Sequence, residues 1–387
     1  MRSRIEAHAA MRRQIYLVPG FFGYSRLGGL NYFMRVTDVL KEALDRRGVE
    51  AEIIECRTQP TGSIRSRTLR LMEEIVAAGG LDADEIHLVG HSTGGLDIRL
   101  LATPGVRLRK DDVGKRIADK VRSVISIATP HFGTPLATVF TTVPGRNLLE
   151  FLASMALSSP GRLGIFLGSK LATAVAKFDD RFGLRNTALD YAVAKLLKYI
   201  TNNPDDPIWS FLREVSTDQG AIIQLTPEGL DLFNAAVIDR PGVDYCSIIT
   251  AAPPTGLRTI ARLIAREKMP TPVVFRLLYA LSARQHPAYP YPSPAEALTP
   301  NVQAALPFVL DSQTNDGVVP TLSQVYGTPI LTVVGDHLDV VGQFRNAGGD
   351  RMADWLPSGS SFSEERFREV YEAVADQVVR LRQQSAA

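Results

Sequence analysis

A lone serine among glycines, directly after an apolar run and directly before a helical pattern, leaves this chain few folds to choose from. The stretch is "EIHLVGHSTGGLDIRLLA", residues 85–102. "EIHLV" is short, apolar and bounded by turn signals, so it reads as a buried strand, and "LDIRLLA" has helical spacing. Ser92 therefore sits at a strand-to-helix corner. Gly90, Ser92 and Gly94 match G-x-S-x-G, a turn in which the serine takes a strained backbone and the glycines avoid collisions with strand and helix. The corner also sets a helix N-terminus beneath the serine, where backbone N–H groups and the helix dipole stabilise a negative oxygen. A glycine-rich turn with an incidental serine would carry the same letters. The rest of the chain has to supply partners.

Strand and helix alternate around this corner. "QIYLV" (14–18) is followed by a glycine-rich loop and a predicted helix over 32–47, with Phe33, Val36, Val39, Leu40, Ala43 and Leu44 on one stripe and Gly48 at its end. "AEIIEC" (51–56) is the next strand, and Leu69, Met72, Ile75 and Val76 mark the next helix. "VRSVISIA" (121–128), "VDYCSIIT" (243–250) and "PILTVVG" (329–335) read as later strands. A closing helix over 363–382 carries a predicted capping box of Ser361 and Glu364. This order predicts an α/β fold, a mostly parallel sheet with helices on both faces.

Two segments interrupt the alternation. The pattern divides the chain into a core of 14–135, 220–250 and 312–382, a helical cap or lid insertion at 136–219, a second insertion at 251–311, and an N-terminal extension at 1–13. The first insertion holds unusually apolar helical stretches such as "NLLEFLASMALSS" and "YAVAKLLKYI"; the second mixes "LRTIARLIAREK" with the proline-rich "HPAYPYPSP". Such apolar helices must pack somewhere, and over a site they would form a lid with a greasy inner face. Composition removes other classes. The net charge is only +2 with 22% charged residues, so nothing points to nucleic acid. Cys56 and Cys246 lie in strand-like runs and read as buried thiols. No run reads as a signal peptide or membrane span, so the expected location is cytoplasmic, or secreted if a signal has been removed.

A serine nucleophile needs a general base, and the base needs a carboxylate to fix its tautomer. On an elbow-type sheet the chain order is serine, acid, histidine. Of six histidines, His8 lies near the start, His87 within a strand, and His91 beside the nucleophile. Among those that follow, His131 in "IATPHFGTP" reads as shaping its loop and His286 lies in the proline-rich insertion. His337 in "VVGDHLD" follows the last strand directly, where a loop at the carboxyl edge reaches the site. It is the predicted base. Asp316 in the turn "TNDGVVP" is the predicted acid, ahead of Asp311, Asp336 and Asp339. The oxyanion donors are predicted to be the N–H of Thr93, after the nucleophile, and that of Phe21 in "LVPGFFG".

Taken together the motifs resemble the bacterial triacylglycerol lipases of the pseudomonad type, members of the α/β-hydrolase fold. "YLVPGFFGYSRLGGLNYF" is similar to their oxyanion loop, "VGHSTGGLDIR" to their elbow, "ISIATPHFGTP" to the strand and loop that follow, and "NDGVV" with "DHLDVVGQF" to their acid and histidine loops. The resemblance implies the same roles for Ser92, Asp316, His337, Phe21 and Thr93. It departs at Pro19, where the family usually has histidine. It also implies a structural calcium held partly by Asp339, but 251–310, which should supply the second carboxylate, contains no aspartate. One carboxylate rarely holds calcium firmly, so the expectation is no required cofactor, with calcium at Asp339 as the alternative.

The residues and the resemblance lead to one expected function: a serine hydrolase, lipase or carboxylesterase, cleaving esters with aliphatic acyl chains. Its expected partners are a lipid or ester substrate and a lipid–water interface. Two alternatives use the same features differently: an acyltransferase or aliphatic polyester depolymerase with the same three residues, or a non-catalytic protein docking on a membrane or partner.

Overall fold

The computed structural model describes residues 11–23, 26–27, 30–142, 218, 220–254, 256–267, 271–284, 293–345, 354 and 356–385. Its centre is a six-stranded parallel sheet: β1 (Arg13–Val18), β2 (Glu52–Glu55), β3 (Glu85–His91), β4 (Val121–Ile127), β5 (Asp244–Ala251) and β6 (Thr328–Val334). The spatial order is β2-β1-β3-β4-β5-β6. Each predicted strand is present, with ends moved by one or two residues; β3 runs on through His91.

Period-two alternation divides the interior. Ile15 and Leu17 face one layer while Tyr16 and Val18 face the other. On the first face α1 (Val36–Arg46) packs with Val36, Val39, Leu40, Ala43 and Leu44 buried. On the second lie α2 (Ile64–Ala77) and α3 (Thr93–Ala102), through Leu71, Met72, Ile75, Ile98 and Leu101. Both faces are covered, as a parallel sheet requires. The last helix, α4 (Glu364–Ser385), returns to the first face and lays Phe367, Val370, Tyr371 and Val374 beside α1.

Two expectations are corrected. The helix predicted over 32–47 begins four residues later, because the preceding segment is committed elsewhere: the Met34 amide donates to the Val341 carbonyl at 2.9 Å, and Arg35 takes φ 58°. The cap of α4 is Ser363 rather than Ser361. Its Oγ accepts from the Arg366 amide at 3.4 Å, whereas Ser361 stands outside the helix at φ 54°, and Glu364 pairs with Arg35 instead of closing a capping box.

The first insertion lies outside the described residues except for 136–142 and Asp218; His8, His286 and most of the proline-rich stretch also lie outside them. The described part of the second insertion forms helices at Leu257–Glu267, Thr271–Ser282 and Ser293–Ala304. Among the described residues no helix is long and apolar enough to cross a membrane.

Topology locates the crevice. The connection that leaves β1 runs to β2 on one side and the one that leaves its neighbour β3 runs to β4 on the other, so two adjacent strands send the chain in opposite directions. Such a switch point opens a cleft at the carboxyl ends of the strands. Val18 and Gly90 are paired in register, and the glycine loop and the serine corner therefore leave adjacent strands side by side.

Candidate active site

Ser92 follows β3 and precedes α3 with φ 55° and ψ −129°, a strained conformation for a residue with a side chain. The elbow holds it there. Its amide donates to the Ile127 carbonyl of β4 at 2.8 Å, and its carbonyl accepts from the Gly95 amide at 3.0 Å. The turn is tight enough that a Cβ on Gly94 would overlap the Val18 carbonyl of β1, which is why a glycine stands there.

His337 and Asp316 meet the serine from loops at the far end of the sheet. His337 Nδ1 donates to Asp316 Oδ2 at 2.8 Å, and its Nε2 lies 2.9 Å from Ser92 Oγ. The carboxylate requires the hydrogen on Nδ1, so Nε2 is left as the acceptor for the serine hydroxyl. All three residues are at most 5% exposed, which strengthens each contact. Asp316 is held by more than the histidine. Its Oδ1 accepts from the Val318 and Val319 amides at 3.0 and 2.7 Å, and its Oδ2 from Thr250 Oγ1 at 2.7 Å and Gln324 Nε2 at 3.2 Å. The "NDGVV" turn thus supplies two amides to its own aspartate, an Asx-type device. Gln324 is braced in turn, since its Oε1 accepts from the Thr250 amide at 2.7 Å.

Gly20 brings the glycine loop against the serine: a Cβ there would overlap Ser92 Cβ and lie 2.9 Å from the His91 carbonyl. Phe21 comes next, half-buried against the apolar cluster that includes Ile64, Leu96 and Leu225, and Thr93 opens α3 directly after the serine. Behind this loop sits a fully buried ion pair. Arg67 donates through Nε to Asp97 Oδ2 at 2.9 Å, through Nη2 to the Pro19 carbonyl at 2.6 Å and through Nη1 to the Gln59 carbonyl at 2.5 Å. It ties the glycine loop to the helix that follows the serine. Burial outweighs the neighbouring guanidinium and pushes the Asp97 carboxyl up to about 6.

The other candidates have different tasks. His131 shapes its loop: it is buried, its Nε2 donates to Ser126 Oγ at 2.9 Å, and burial, then the Arg99 charge, depresses its pKa. His87 lies in β3 with Nδ1 2.8 Å from Ser123 Oγ, and burial lowers it to about 3. Asp311 accepts from Gln313 and Thr314. Asp336 caps the histidine loop, accepting from the Leu338 and Asp339 amides at 3.0 and 3.2 Å and from Ser358.

Asp339, the residue expected to hold calcium, is bonded within its own loop in the described residues. Its Oδ2 is occupied by the Asp336 amide at 2.8 Å and Ser360 Oγ at 2.9 Å. Burial, and then a neighbouring acid in each case, raises Asp336 and Asp339 well above the usual carboxylate range. Among the described residues no three His, Cys, Asp or Glu side chains converge as metal ligands, whereas calcium takes about six to eight oxygens.

Sequence reasoning missed Thr250, Gln324, Arg67, Asp97, Tyr32 and the use made of His91. Asp97 alone left a trace, as the one acid, beside Arg99, on the mostly apolar "LDIRLLA" helix.

No family model matches the chain. A triacylglycerol lipase of Vibrio cholerae serotype O1 is 30% identical over 152 residues, 38% of this chain and 42% of that protein. One of Pseudomonas fragi is 28% identical over 168 residues, 43% of this chain and 46% of that protein. The chain thus spans less than half the length of these curated relatives. Among solved structures, Staphylococcus hyicus lipase superimposes with a TM-score of 0.51 at 17% identity, covering 97% of both chains. Pelosinus fermentans lipase 1 gives 0.52 at 17%, covering 95% of this chain and 98% of that one. EstA of Clostridium botulinum gives 0.51 at 19%, covering 95% and 87%. The chain therefore has the α/β-hydrolase fold of these bacterial lipases and esterases, and part of its sequence is similar to bacterial triacylglycerol lipases.

Proposed function

We propose that the protein hydrolyses carboxylic esters with aliphatic acyl chains through a covalent acyl-enzyme, with Ser92 as nucleophile, His337 as base and Asp316 as its orienting acid. The observation that carries this reading is the continuous contact from Asp316 Oδ2 through both nitrogens of His337 to Ser92 Oγ, at 2.8 and 2.9 Å. His337 Nε2 takes the hydroxyl proton as Oγ attacks the ester carbonyl. The imidazolium that forms lies against Asp316, whose remaining donors hold its carboxylate in place. The negative oxygen is held by the amides of Phe21 and Thr93. The intermediate collapses as His337 returns the proton to the departing alcohol. Water enters, gives its proton to Nε2 and attacks the acyl-enzyme; the acid leaves and Ser92 is restored.

The names of the two relatives support a fatty-acyl substrate, as do the apolar stretches of the first insertion. A lipid–water interface is the matching setting. The chemistry needs no metal or cofactor beyond these side chains and amides. The test is hydrolysis of p-nitrophenyl esters from acetate to palmitate, with Ser92→Ala in parallel. Hydrolysis rising with chain length and lost in the variant is expected. No hydrolysis at any length, or hydrolysis surviving in the variant, would contradict the reading.

A further inference from the structure

Tyr32 and His91 fill the interior between the glycine loop and the histidine loop, and neither has a part in the reaction above. They are 5% and 0% exposed. The Gly20 amide donates to Tyr32 Oη at 2.9 Å, Oη lies 2.7 Å from His91 Nδ1, and His91 Nε2 lies 2.9 Å from the His337 carbonyl oxygen. One proton arrangement satisfies all three contacts. A carbonyl only accepts, so the hydrogen is on Nε2. Burial, and then the neighbouring His337, depresses the His91 pKa, so the ring is neutral and Nδ1 accepts. Tyr32 then donates to Nδ1 and keeps a lone pair for the Gly20 amide. The chain of donors runs in one direction, from the residue before Phe21 to the backbone of the base itself.

We propose that Tyr32 and His91 are positioning residues: their relay sets the spacing between the oxyanion loop and the catalytic histidine. The inference rests on the hydrolase reading. The same segment is tied to the histidine loop twice more, by the Met34 amide on the Val341 carbonyl at 2.9 Å and by Gln343 Nε2 on the Tyr32 carbonyl at 3.4 Å. An oxyanion donor and a base must be registered to a few tenths of an ångström for both to act on one carbonyl. Because the oxyanion contact is made in the transition state, loosening the relay lowers kcat rather than raising KM.

The test uses the full chain with Tyr32→Phe, His91→Ala and His91→Gln. Tyr32→Phe keeps the ring and removes the hydroxyl's bonds to the Gly20 amide and to His91 Nδ1. Its kcat should fall roughly tenfold to a hundredfold with KM within about twofold, and affinity for an alkylboronic acid should fall by the same factor. His91→Gln, whose amide can reach the position of Nε2, should recover part of what His91→Ala loses. The double variant Tyr32→Phe/His91→Ala should be no worse than His91→Ala, because one relay is broken only once. A folded Tyr32→Phe protein with unchanged kcat and boronate affinity, or losses that simply add, would overturn the proposal. A readout independent of turnover is hydrogen exchange at the Gly20 amide, expected to accelerate in Tyr32→Phe. If the wild-type protein neither hydrolyses esters nor binds the boronate, the hydrolase reading fails, and this exchange decides the relay: faster exchange supports it and unchanged exchange refutes it.

Discussion

Replacing Gln324 separates support of the acid from the reaction itself. Gln324 is 1% exposed; its Nε2 donates to Asp316 Oδ2 at 3.2 Å and to the Thr250 carbonyl at 3.1 Å, and its Oε1 accepts from the Thr250 amide at 2.7 Å. In Gln324→Leu the Thr250 carbonyl keeps Thr321 Oγ1 at 3.1 Å, but the amide loses the partner described for it. An orphaned buried amide costs about 1–3 kcal/mol, and a lost bond to a charged group roughly 1.5–3. The expected loss of stability is therefore about 2.5–6 kcal/mol. Asp316 still receives the Val318 and Val319 amides, Thr250 Oγ1 and His337, so kcat should fall by only about tenfold. Gln324→Glu keeps the volume and sets a second carboxyl against Oδ2. Two acids at that distance cannot both ionise freely, so the orientation of His337 is lost and kcat should drop more steeply than in the leucine variant. Denaturant unfolding and steady-state kinetics on a p-nitrophenyl ester measure both quantities. A glutamate variant as active as the leucine variant, or a leucine variant destabilised by less than about 1 kcal/mol, would refute the reasoning.

Gly20→Ala should lower kcat by at least about tenfold, since its Cβ would overlap Ser92 Cβ and press on the His91 carbonyl; undiminished kcat would show that the loop yields. Asp97 gives a pH prediction with a definite sign. Its folded-state pKa is raised from 3.8 to about 6, so the stability it contributes is fully present below about pH 4 and is lost as pH rises through about 6. The stability of the wild type relative to Asp97→Asn should thus fall by about 3 kcal/mol between about pH 4 and 7. A difference independent of pH, in parallel urea titrations, would contradict it.

The sheet was legible because each strand is bracketed by turn residues and each face alternates, as in Ile15, Tyr16, Leu17 and Val18. The start of α1 was not. Phe33 fits a helical stripe, but a contact from Met34 to Val341, far away in sequence, takes that segment out of the helix. The meeting of Ser92, Asp316 and His337 could be read from the chain order that an elbow imposes. Their supports could not, because Gln324 and Thr250 carry no local pattern and come together only through the packing of β5 against the turn after Asp316. His91 illustrates the limit: its position beside Ser92 argues against its being the base, and nothing local indicates that its ring reaches the His337 carbonyl.

The most direct measurement is the site of covalent labelling by a fluorophosphonate, located by mass spectrometry of the digested protein. One adduct, on the peptide containing Ser92, absent in Ser92→Ala and strongly slowed in His337→Ala, is the predicted result. No adduct on the folded protein, or an adduct at another residue that persists in Ser92→Ala, would contradict the assignment of the nucleophile.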